Sequence, residues 1–383
     1  MAGAGGGPEA VAVSLVAPAL CSASGDPLDH GLSPFVTALA ALLAEAGYGV
    51  DAHQYADADW VRDVGGLRVR GHGVARLSRL AGLQSIHHAT ARCLYASIVD
   101  QPTPYKAGSL VVAHGVWWAR PGISSPPEMT HCRRALDEAA LVVSIGPGFR
   151  NAIRAIDPAR ADRIEVAPPM ADARFRPRAA GGSGSAPGSS DPRTAVATLA
   201  VAGHLDGAAQ ADVLARALGP ILEARPGVAA VVALDPGASG AEGLSVLPAR
   251  ARRTALAFGA LPELYRDAAV AVLGPGWSED LVPSCLGAMA SGCAVVAPDG
   301  AGLDHLVIHG FNGLLVPWRP EALTAACGRL LDDAGLCARL GAEAARTAAA
   351  FGPARWAAAW LRVVERVYGP GAAADRTPAV ESR

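Results

Sequence analysis

Lysine is nearly missing from this chain of 383 residues, because Lys106 is the only one and arginine carries almost all of the positive charge. The formal net charge is −2, so no excess of charge indicates a nucleic-acid partner. No uninterrupted apolar run reaches the length that spans a membrane. Hydrophobic residues nevertheless make up 51% of the chain, which predicts two or three domains with substantial cores.

Several sequence patterns are also absent. The seven cysteines are scattered without the spacing of a metal site, which favours reduced thiols and a cytoplasmic protein. No compact GxGxxG motif follows the first apolar segment, so a Rossmann-type dehydrogenase is disfavoured. The opening MAGAGGGPEA has no basic residue, and no secretory signal peptide is expected from it.

The composition divides the chain into two α/β halves. Residues 178–193 are rich in Gly, Ser and Pro and predict a flexible linker. The predicted domains are therefore 1–177 and 194–350, followed by a helix over 351–368 that returns to the first domain and a disordered tail over 369–383. In the first half, SPFVTALAALLAEAGYGV predicts a helix with Ser33 as its N-cap, Pro34 in its first turn and Gly47 at its end.

Strands and helices alternate in the segment Leu261–Pro317. AVAVLGPG is typical of a buried parallel strand that ends at a glycine loop, and the apolar spacing after Glu279 predicts a helix. CAVVAP and GLLVP follow as buried strands, and ALAFGAL, just before this segment, also has the profile of a strand. This order predicts a doubly wound parallel sheet, with a ligand site at the carboxyl ends of its strands.

Three features of the first half are candidates for a site. The loop around Gly25 follows the first strand and can present backbone amides to a ligand, although an ordinary strand-to-helix connection is the alternative. His114 follows the apolar SLVVA, so it stands either at a binding edge or in a structural role. Trp117 and Trp118 can stack on sugar faces or simply seal a core.

The segment Leu261–Pro317, together with AVSLVAPAL, VVAHGVWWARPG, ALVVSIGPGFRNAI and RIEVAPPMADARFRP in this order, resembles the retaining glycosyltransferases of family 4. The resemblance implies the GT-B fold, in which two Rossmann-like, doubly wound parallel-sheet domains face each other across a cleft. It implies that His114 and Glu279 are catalytic and that Trp117 and Trp118 bind the acceptor. It also implies a set of donor-binding residues: Gly25, His204, Asp280, Leu281, Val282 and Gly287.

Some of these positions depart from the family pattern. The family has a second glutamate where this chain has Gly287, and it has an arginine and a lysine where this chain has His204 and Ala209. An aspartate common after the paired aromatic residues is replaced by Ala119. Arg252 or Arg253 is a possible source of the missing positive charge, which normally stabilises a departing diphosphate.

The resemblance predicts a bacterial hexosyltransferase of glycan biosynthesis that moves a sugar from a nucleoside-diphosphate sugar to an acceptor hydroxyl, with retention. No metal and no cofactor are expected. The acceptor is a glycan, a lipid-linked substrate or a small molecule, and the location is cytoplasmic or peripheral to a membrane. The alternative is a non-catalytic GT-B relative that serves as a partner of an active glycosyltransferase or as a ligand-binding subunit.

Overall fold

A computed structural model of the chain describes residues 11–28, 32–73, 79–98, 104–114, 126–177, 197–203, 205, 208–234, 247–255, 257–275, 281–300 and 302–371. The chain divides into two compact units. Met1–Pro168 and Trp356–Arg383 form the first unit, and Pro169–Arg355 form the second. The predicted linker, residues 178–193, and all but the first three residues of the predicted tail lie outside the described residues.

The first unit is built on a sheet of eight strands in the order β3-β4-β2-β1-β5-β6-β7-β8. These strands are β1 (Ala12–Ala17), β2 (Gly49–Ala56), β3 (Trp60–Val64), β4 (Leu67–Gly73), β5 (Cys93–Tyr95), β6 (Leu110–Ala113), β7 (Leu141–Ser144) and β8 (Ile164–Val166). The helices of this unit are α1 (Leu32–Glu45), α2 (Arg79–Ala89), α3 (Pro126–Glu138), α4 (Pro147–Ile156), α5 (Pro158–Ala161) and the last helix, α11 (Pro353–Tyr368), which enters the unit from Trp356 onward.

Burial explains the order of this sheet. Strands β5, β6 and β7 are buried along their whole length, as expected of central parallel strands covered on both faces. All neighbouring strands are parallel except β3, which pairs antiparallel with β4 at the edge of the sheet and is largely exposed. The antiparallel β3–β4 hairpin is the one departure from a wholly parallel sheet among the described strands of this unit.

The second unit contains a parallel sheet of six strands in the order β11-β10-β9-β12-β13-β14. Its strands are β9 (Ala197–Gly203), β10 (Val228–Leu234), β11 (Ala251–Ala255), β12 (Ala268–Leu273), β13 (Ala294–Pro298) and β14 (Gly313–Val316). Its helices are α6 (Ala208–Glu223), α7 (Leu261–Arg266), α8 (Leu281–Ala290), α9 (Pro320–Asp332) and α10 (Ala334–Ala349).

The core of the second unit is centred on β9. Val201 is paired with Val232 of β10 on one side and with Val272 of β12 on the other, and all three are buried. Helices α6 and α9 pack on this apolar face through leucine, isoleucine and alanine side chains. The fold class predicted from the sequence, with two doubly wound α/β units, is therefore confirmed for each unit.

Two local predictions need correction, and a third is confirmed. Ser33 does not act as an N-cap, because α1 already includes it and its hydroxyl donates to the carbonyl of Leu20 at 3.0 Å. ALAFGAL is not a strand, since β11 ends at Ala255 and Phe258–Ala260 form a 3₁₀ turn. Gly47, in contrast, ends α1 as expected: its φ is 87°, and the next N–H, that of Tyr48, returns to Leu43 O.

The last helix, α11, is held in the first unit by its buried stripe. Trp356, Trp360, Val363 and Val364 are buried as predicted, and Tyr368 completes the stripe where Val367 is only half-buried. The Tyr368 hydroxyl donates to Cys93 O at 2.5 Å and accepts from the N–H of Leu110 at 3.1 Å. No helix among the described residues is both long and apolar enough to cross a lipid bilayer.

Candidate functional site

In each unit, successive strands are added first on one side of the first strand and then on its other side. In the first unit the chain moves from β1 to β2 on one side and to β5 on the other, and in the second it moves from β9 to β10 and then to β12 on the opposite side. Ligands of open α/β sheets bind outside the carboxyl ends of strands at such a point. The residues that follow β1, β5 and β6, and those that follow β9, β12 and β13, are therefore the candidate sites.

His114 stands at this edge in the first unit, directly after β6. Its Nε2 lies 2.7 Å from the carbonyl oxygen of Ala96, which follows β5. A carbonyl only accepts, so Nε2 carries a proton, and the tautomer with its single proton there presents Nδ1 as an acceptor. Ala96 itself is tied to β1, since its N–H donates to Val16 O at 2.7 Å. Three neighbouring strand ends thus fix one imidazole nitrogen, and the other nitrogen has no hydrogen-bond partner among the residues that the structure describes.

The loop after β1 is held in place by the carboxamide of Gln54 on β2. Its Oε1 accepts from the N–H groups of Leu20 and Cys21, at 2.8 and 3.0 Å, and its Nε2 donates to Cys21 O at 2.9 Å. Gln54 is only 3% exposed. Further along the loop, Arg62 of β3 donates to Ala23 O at 2.8 Å. These hydrogen bonds therefore hold the loop in place beside the carboxyl ends of the strands.

Gly25 lies in a tight turn of this loop, with φ at 96°, a value that favours glycine. Its N–H already donates to Ser22 O at 3.0 Å, so a ligand would have to compete for this amide. The hydroxyls of Ser22 and Ser24 point to the carboxylate of Asp26 and close the turn. The role of Gly25 in donor binding stays a prediction. What the geometry shows is that Gly25 permits the tight turn of this loop.

In the second unit, two glycines bring the ends of β9 and β12 into backbone contact. Gly203 has φ at 144°, and a Cβ on it would lie 2.9 Å from the N of Gly274. The N–H of Gly274 donates to Ala202 O at 3.1 Å. Because neither residue carries a side chain, a ligand can approach the backbone of these two strand ends closely.

Helix α8 begins at Leu281, in the segment that follows β12 and Gly274. Leu281 and Val282 are buried and supply the first amides of the helix, whose free N–H groups and dipole favour an anion. Pro283 occupies the next position, where a missing N–H costs nothing. This start confirms the helix predicted after Glu279. Glu279, Asp280, His204, Trp117 and Trp118 lie outside the described residues, as does Ala119.

Gly287 faces away from any open space. A Cβ on it would lie 2.6 Å from Cε1 of Phe175, and Phe175 is itself buried against the rings of Phe258 and Tyr265, each 6.0 Å away. Residue 287 therefore has no side chain with which to contact a bound ligand. Its predicted role in donor binding stays a prediction.

The position of the missing lysine, Ala209, and the two arginines that could replace the missing cations are all among the described residues. Ala209 is exposed in the first turn of α6. Arg252 and Arg253 lie within β11, an exposed edge strand that is two strands, or about 10 Å, from β9. Compensation by either arginine is therefore not favoured by its position.

His305 is a candidate that the sequence reasoning missed. It follows β13 and the turn at Gly300 and Gly302, and its Nδ1 lies 2.9 Å from Gly302 O. Because that carbonyl only accepts, the proton of the ring is on Nδ1, and Nε2 is an acceptor. The Nε2 atom is buried without a hydrogen-bond partner among the described residues. Burial lowers the pKa of His305 and keeps the ring neutral. The available signal was a histidine three residues after a glycine turn at a strand end.

The chain is similar in sequence to known glycosyltransferases. Residues 197–333 match the family model described as "Glycosyl transferases group 1". The chain is similar to D-inositol 3-phosphate glycosyltransferases: 36% identical over 214 residues to that of Nocardia farcinica, covering 50% of this chain and 44% of the relative. It is 29% identical over 289 residues to that of Streptomyces scabiei, covering 71% and 60%. The matched regions thus span less than two thirds of these relatives.

Solved structures share the fold at low identity. Sucrose-phosphate synthase from Thermosynechococcus elongatus aligns over 93% of this chain and 99% of its own, with a TM-score of 0.72 and 19% identity. HepE from Anabaena, solved in complex with UDP and glucose, aligns over 94% and 99%, with a TM-score of 0.67 and 14% identity. The predicted GT-B fold is confirmed by this likeness, whereas nothing in the comparisons tests the assignment to family 4.

Proposed function

We propose that this protein is a glycosyltransferase that moves a sugar from a nucleoside-diphosphate sugar to an acceptor hydroxyl. The observation that carries the proposal is the close backbone contact of Gly203 and Gly274 at the ends of β9 and β12, in the same unit as the first amides of α8 and inside the segment that matches the glycosyl transferases group 1 family. The similar HepE was solved with UDP and with UDP-glucose, which supports a donor of this class.

The donor's diphosphate binds the free N–H groups of Leu281 and Val282, because the helix N-terminus favours negative charge. Glu279 and Asp280 precede this helix in the sequence and hold the sugar hydroxyls, and His204, which follows β9 in the sequence, binds the diphosphate. His305 offers the Nε2 lone pair to a hydroxyl of the donor. In transfer, the bond from the anomeric carbon to the diphosphate oxygen breaks, and the diphosphate leaves with the bonding electrons.

The acceptor binds to the first unit. His114 presents Nδ1 as an acceptor for a hydroxyl proton, and Trp117 and Trp118 supply faces for a sugar or another apolar surface. As the acceptor oxygen bonds to the anomeric carbon, its proton passes to this nitrogen or to the leaving diphosphate. The reaction proceeds with retention and without a metal. The acceptor is a glycan, a lipid-linked substrate or a small molecule, and the protein works in the cytoplasm or against a membrane.

Calorimetric titration with UDP-, GDP- and ADP-sugars, with and without magnesium, tests donor binding directly. We expect micromolar binding of one donor, independent of magnesium. Turnover assays then follow with that donor, and NMR of the product reads the anomeric configuration. His114→Asn and Glu279→Gln should each lower kcat/KM about 10²- to 10⁴-fold, whereas His88→Asn, at an exposed histidine of α2, should not.

A second function is favoured by the packing of Gly287 and by the exposed Ala209. No carboxylate fits at position 287, and no cation stands at 209. A non-catalytic subunit that assists an active glycosyltransferase would tolerate both. It predicts no binding across the whole donor panel, together with co-purification of a second transferase from the native cells, and a tight donor complex would rule it out.

A further inference from the structure

His114 is the end of a row of three aromatic side chains within the first unit. Phe35 of α1 meets the imidazole edge to face, with ring centroids 5.2 Å apart and planes at 89°. Trp360 of α11 also packs against Phe35, with ring centroids 5.4 Å apart and planes at 60°. The row thus joins the last helix of the chain to the histidine at the end of β6.

The hydrogen bond of His114 does not by itself fix the ring. A single bond from Nε2 to Ala96 O anchors one atom, and the ring plane can still rotate about that anchor. Terminal torsions of histidine are broad and have no sharp preferred angle. A perpendicular neighbour such as Phe35 restricts this rotation, since any tilt of the imidazole meets the phenyl ring.

Trp360 supplies bulk at this place and no hydrogen bond. Its side chain is 0% exposed, and its Nε1–H has no acceptor among the described residues. A buried N–H without an acceptor is unfavourable, so the position keeps an indole despite this cost. The contribution of Trp360 is therefore the surface of its ring, which stops the half-buried Phe35 from moving away from His114.

We propose that Phe35 and Trp360 are positioning residues that act through His114, holding the imidazole in the plane that presents Nδ1. The inference rests on the proposed function where it concerns catalysis, but the orientation of the ring is measurable without any substrate. It makes α11 part of the machinery of the site, because the helix holds the histidine through two aromatic contacts.

Histidine ¹⁵N NMR of the full chain tests the orientation. The ten histidines are labelled, and the His114 signals are identified from their loss in His114→Asn. In the wild type we expect the pattern of a ring protonated on Nε2. Phe35→Leu and Trp360→Leu should broaden these signals or mix the two tautomers, and Phe35→Tyr should preserve them. Unchanged His114 signals in Phe35→Leu would overturn the inference.

A matched control separates positioning from stability. Trp356 lies one turn before Trp360 on the same helix and is also buried, so Trp356→Leu should lower stability without altering the His114 signals. Should Trp360→Leu fail to fold, the half-buried Phe35 still decides the question. A Trp356→Leu effect on His114 as large as that of Trp360→Leu would reduce the role of Trp360 to general packing and overturn that half of the inference.

Activity provides the second measurement. With the donor found by titration, kcat/KM should fall about 10- to 100-fold in Phe35→Leu and recover in Phe35→Tyr, since small displacements of a reacting group cost such factors. If the wild type transfers no sugar while the NMR results hold, the proposed function fails and the positioning role stands. If the wild type is active and Phe35→Leu keeps full activity, the catalytic part of the inference fails alone.

Discussion

The ring of Phe175 fills the space into which a side chain at Gly287 would point. Its Cε1, Cδ1 and Cζ atoms lie 2.6 to 2.8 Å from the Cβ position of residue 287. The ring cannot yield easily, because it is 5% exposed and packs between Phe258 and Tyr265. The absence of the second family glutamate is therefore linked to the packing of a residue far away in the chain.

Gly287→Ala should accordingly destabilise the protein. Alanine is the better helix former by up to ~1 kcal/mol, but overpacking costs about 1–3 kcal/mol, so a net loss in the free energy of unfolding is expected in urea titrations. Gly335→Ala is the matched control, since this exposed glycine of α10 has its nearest neighbour at an ordinary 3.4 Å. In a Phe175→Leu background the loss should shrink, and equal stability of the two alanine variants would contradict this packing argument.

These residues show what the sequence could predict. Apolar runs ending in glycines located β12, β13 and the start of α8, because strand periodicity and helix starts are local properties. The sequence also marked position 287 as a departure from the family pattern. It did not indicate Phe175 as the reason, since contacts between distant residues leave no local pattern. Likewise Ser33 looked like an N-cap, whereas a neighbouring loop carbonyl takes its hydroxyl.

The same limit applies to Gln54, which looks in the sequence like any residue of a strand. Gln54→Leu should loosen the loop after β1, because the N–H groups of Leu20 and Cys21 lose their acceptor and each unsatisfied buried group costs about 1–3 kcal/mol. We expect lower stability and faster hydrogen exchange at these two amides. Gln84→Leu, on the exposed face of α2, should change stability by no more than about 0.5 kcal/mol. Unaltered exchange at Leu20 would show that the loop does not depend on Gln54.

The only lysine of the chain has a structural place. The Nζ of Lys106 donates to the carbonyl of His87 at 2.7 Å and to that of Thr90, at the end of α2. Lys106→Met should therefore lower the free energy of unfolding by about 1.5–3 kcal/mol, the contribution typical of hydrogen bonds to charged groups. Lys106→Arg should recover only part of it, because a planar guanidinium donates with different geometry. Arg68→Met, on the exposed face of β4, serves as control, and an equally small effect of both methionines would refute the role.

A buried pair of histidines makes the first unit sensitive to acid. His53 Nδ1 and His72 Nε2 are 2.7 Å apart, and the two residues are 0% and 2% exposed. At the ends of this pair, His53 Nε2 contacts the Asp51 carboxylate at 3.2 Å and His72 Nδ1 contacts the Ser85 hydroxyl at 2.8 Å. With both rings neutral, His53 donates to Asp51, His72 donates to His53, and Ser85 donates to His72, so every ring nitrogen is satisfied.

Adding a proton to His72 is unfavourable in the folded protein. Burial lowers its pKa from 6.5 to about 4, assisted by His53 and Arg70, while Asp59 and Asp51 oppose the shift. Because the unfolded chain binds this proton more readily, His72 stabilises the fold fully above about pH 6.5. That contribution is lost as the pH falls toward 4. The corresponding free energy is roughly 3 kcal/mol, from 1.36 kcal/mol per pKa unit.

Urea titrations between pH 7.5 and 4 should therefore show falling stability, and His72→Gln should flatten this dependence while retaining a hydrogen bond to His53. Burial also lowers the pKa values of His87 and His305, but both residues remain in each protein, so the difference isolates His72. Asp51 adds to the loss of stability only near pH 4 and below, since burial raises its pKa, yet hydrogen bonds from His53 and Ser14 bring it below its usual value of 3.8. His88→Gln, at an exposed site, should leave the slope unchanged, and a wild-type slope in His72→Gln would mean that the pair does not govern the acid response.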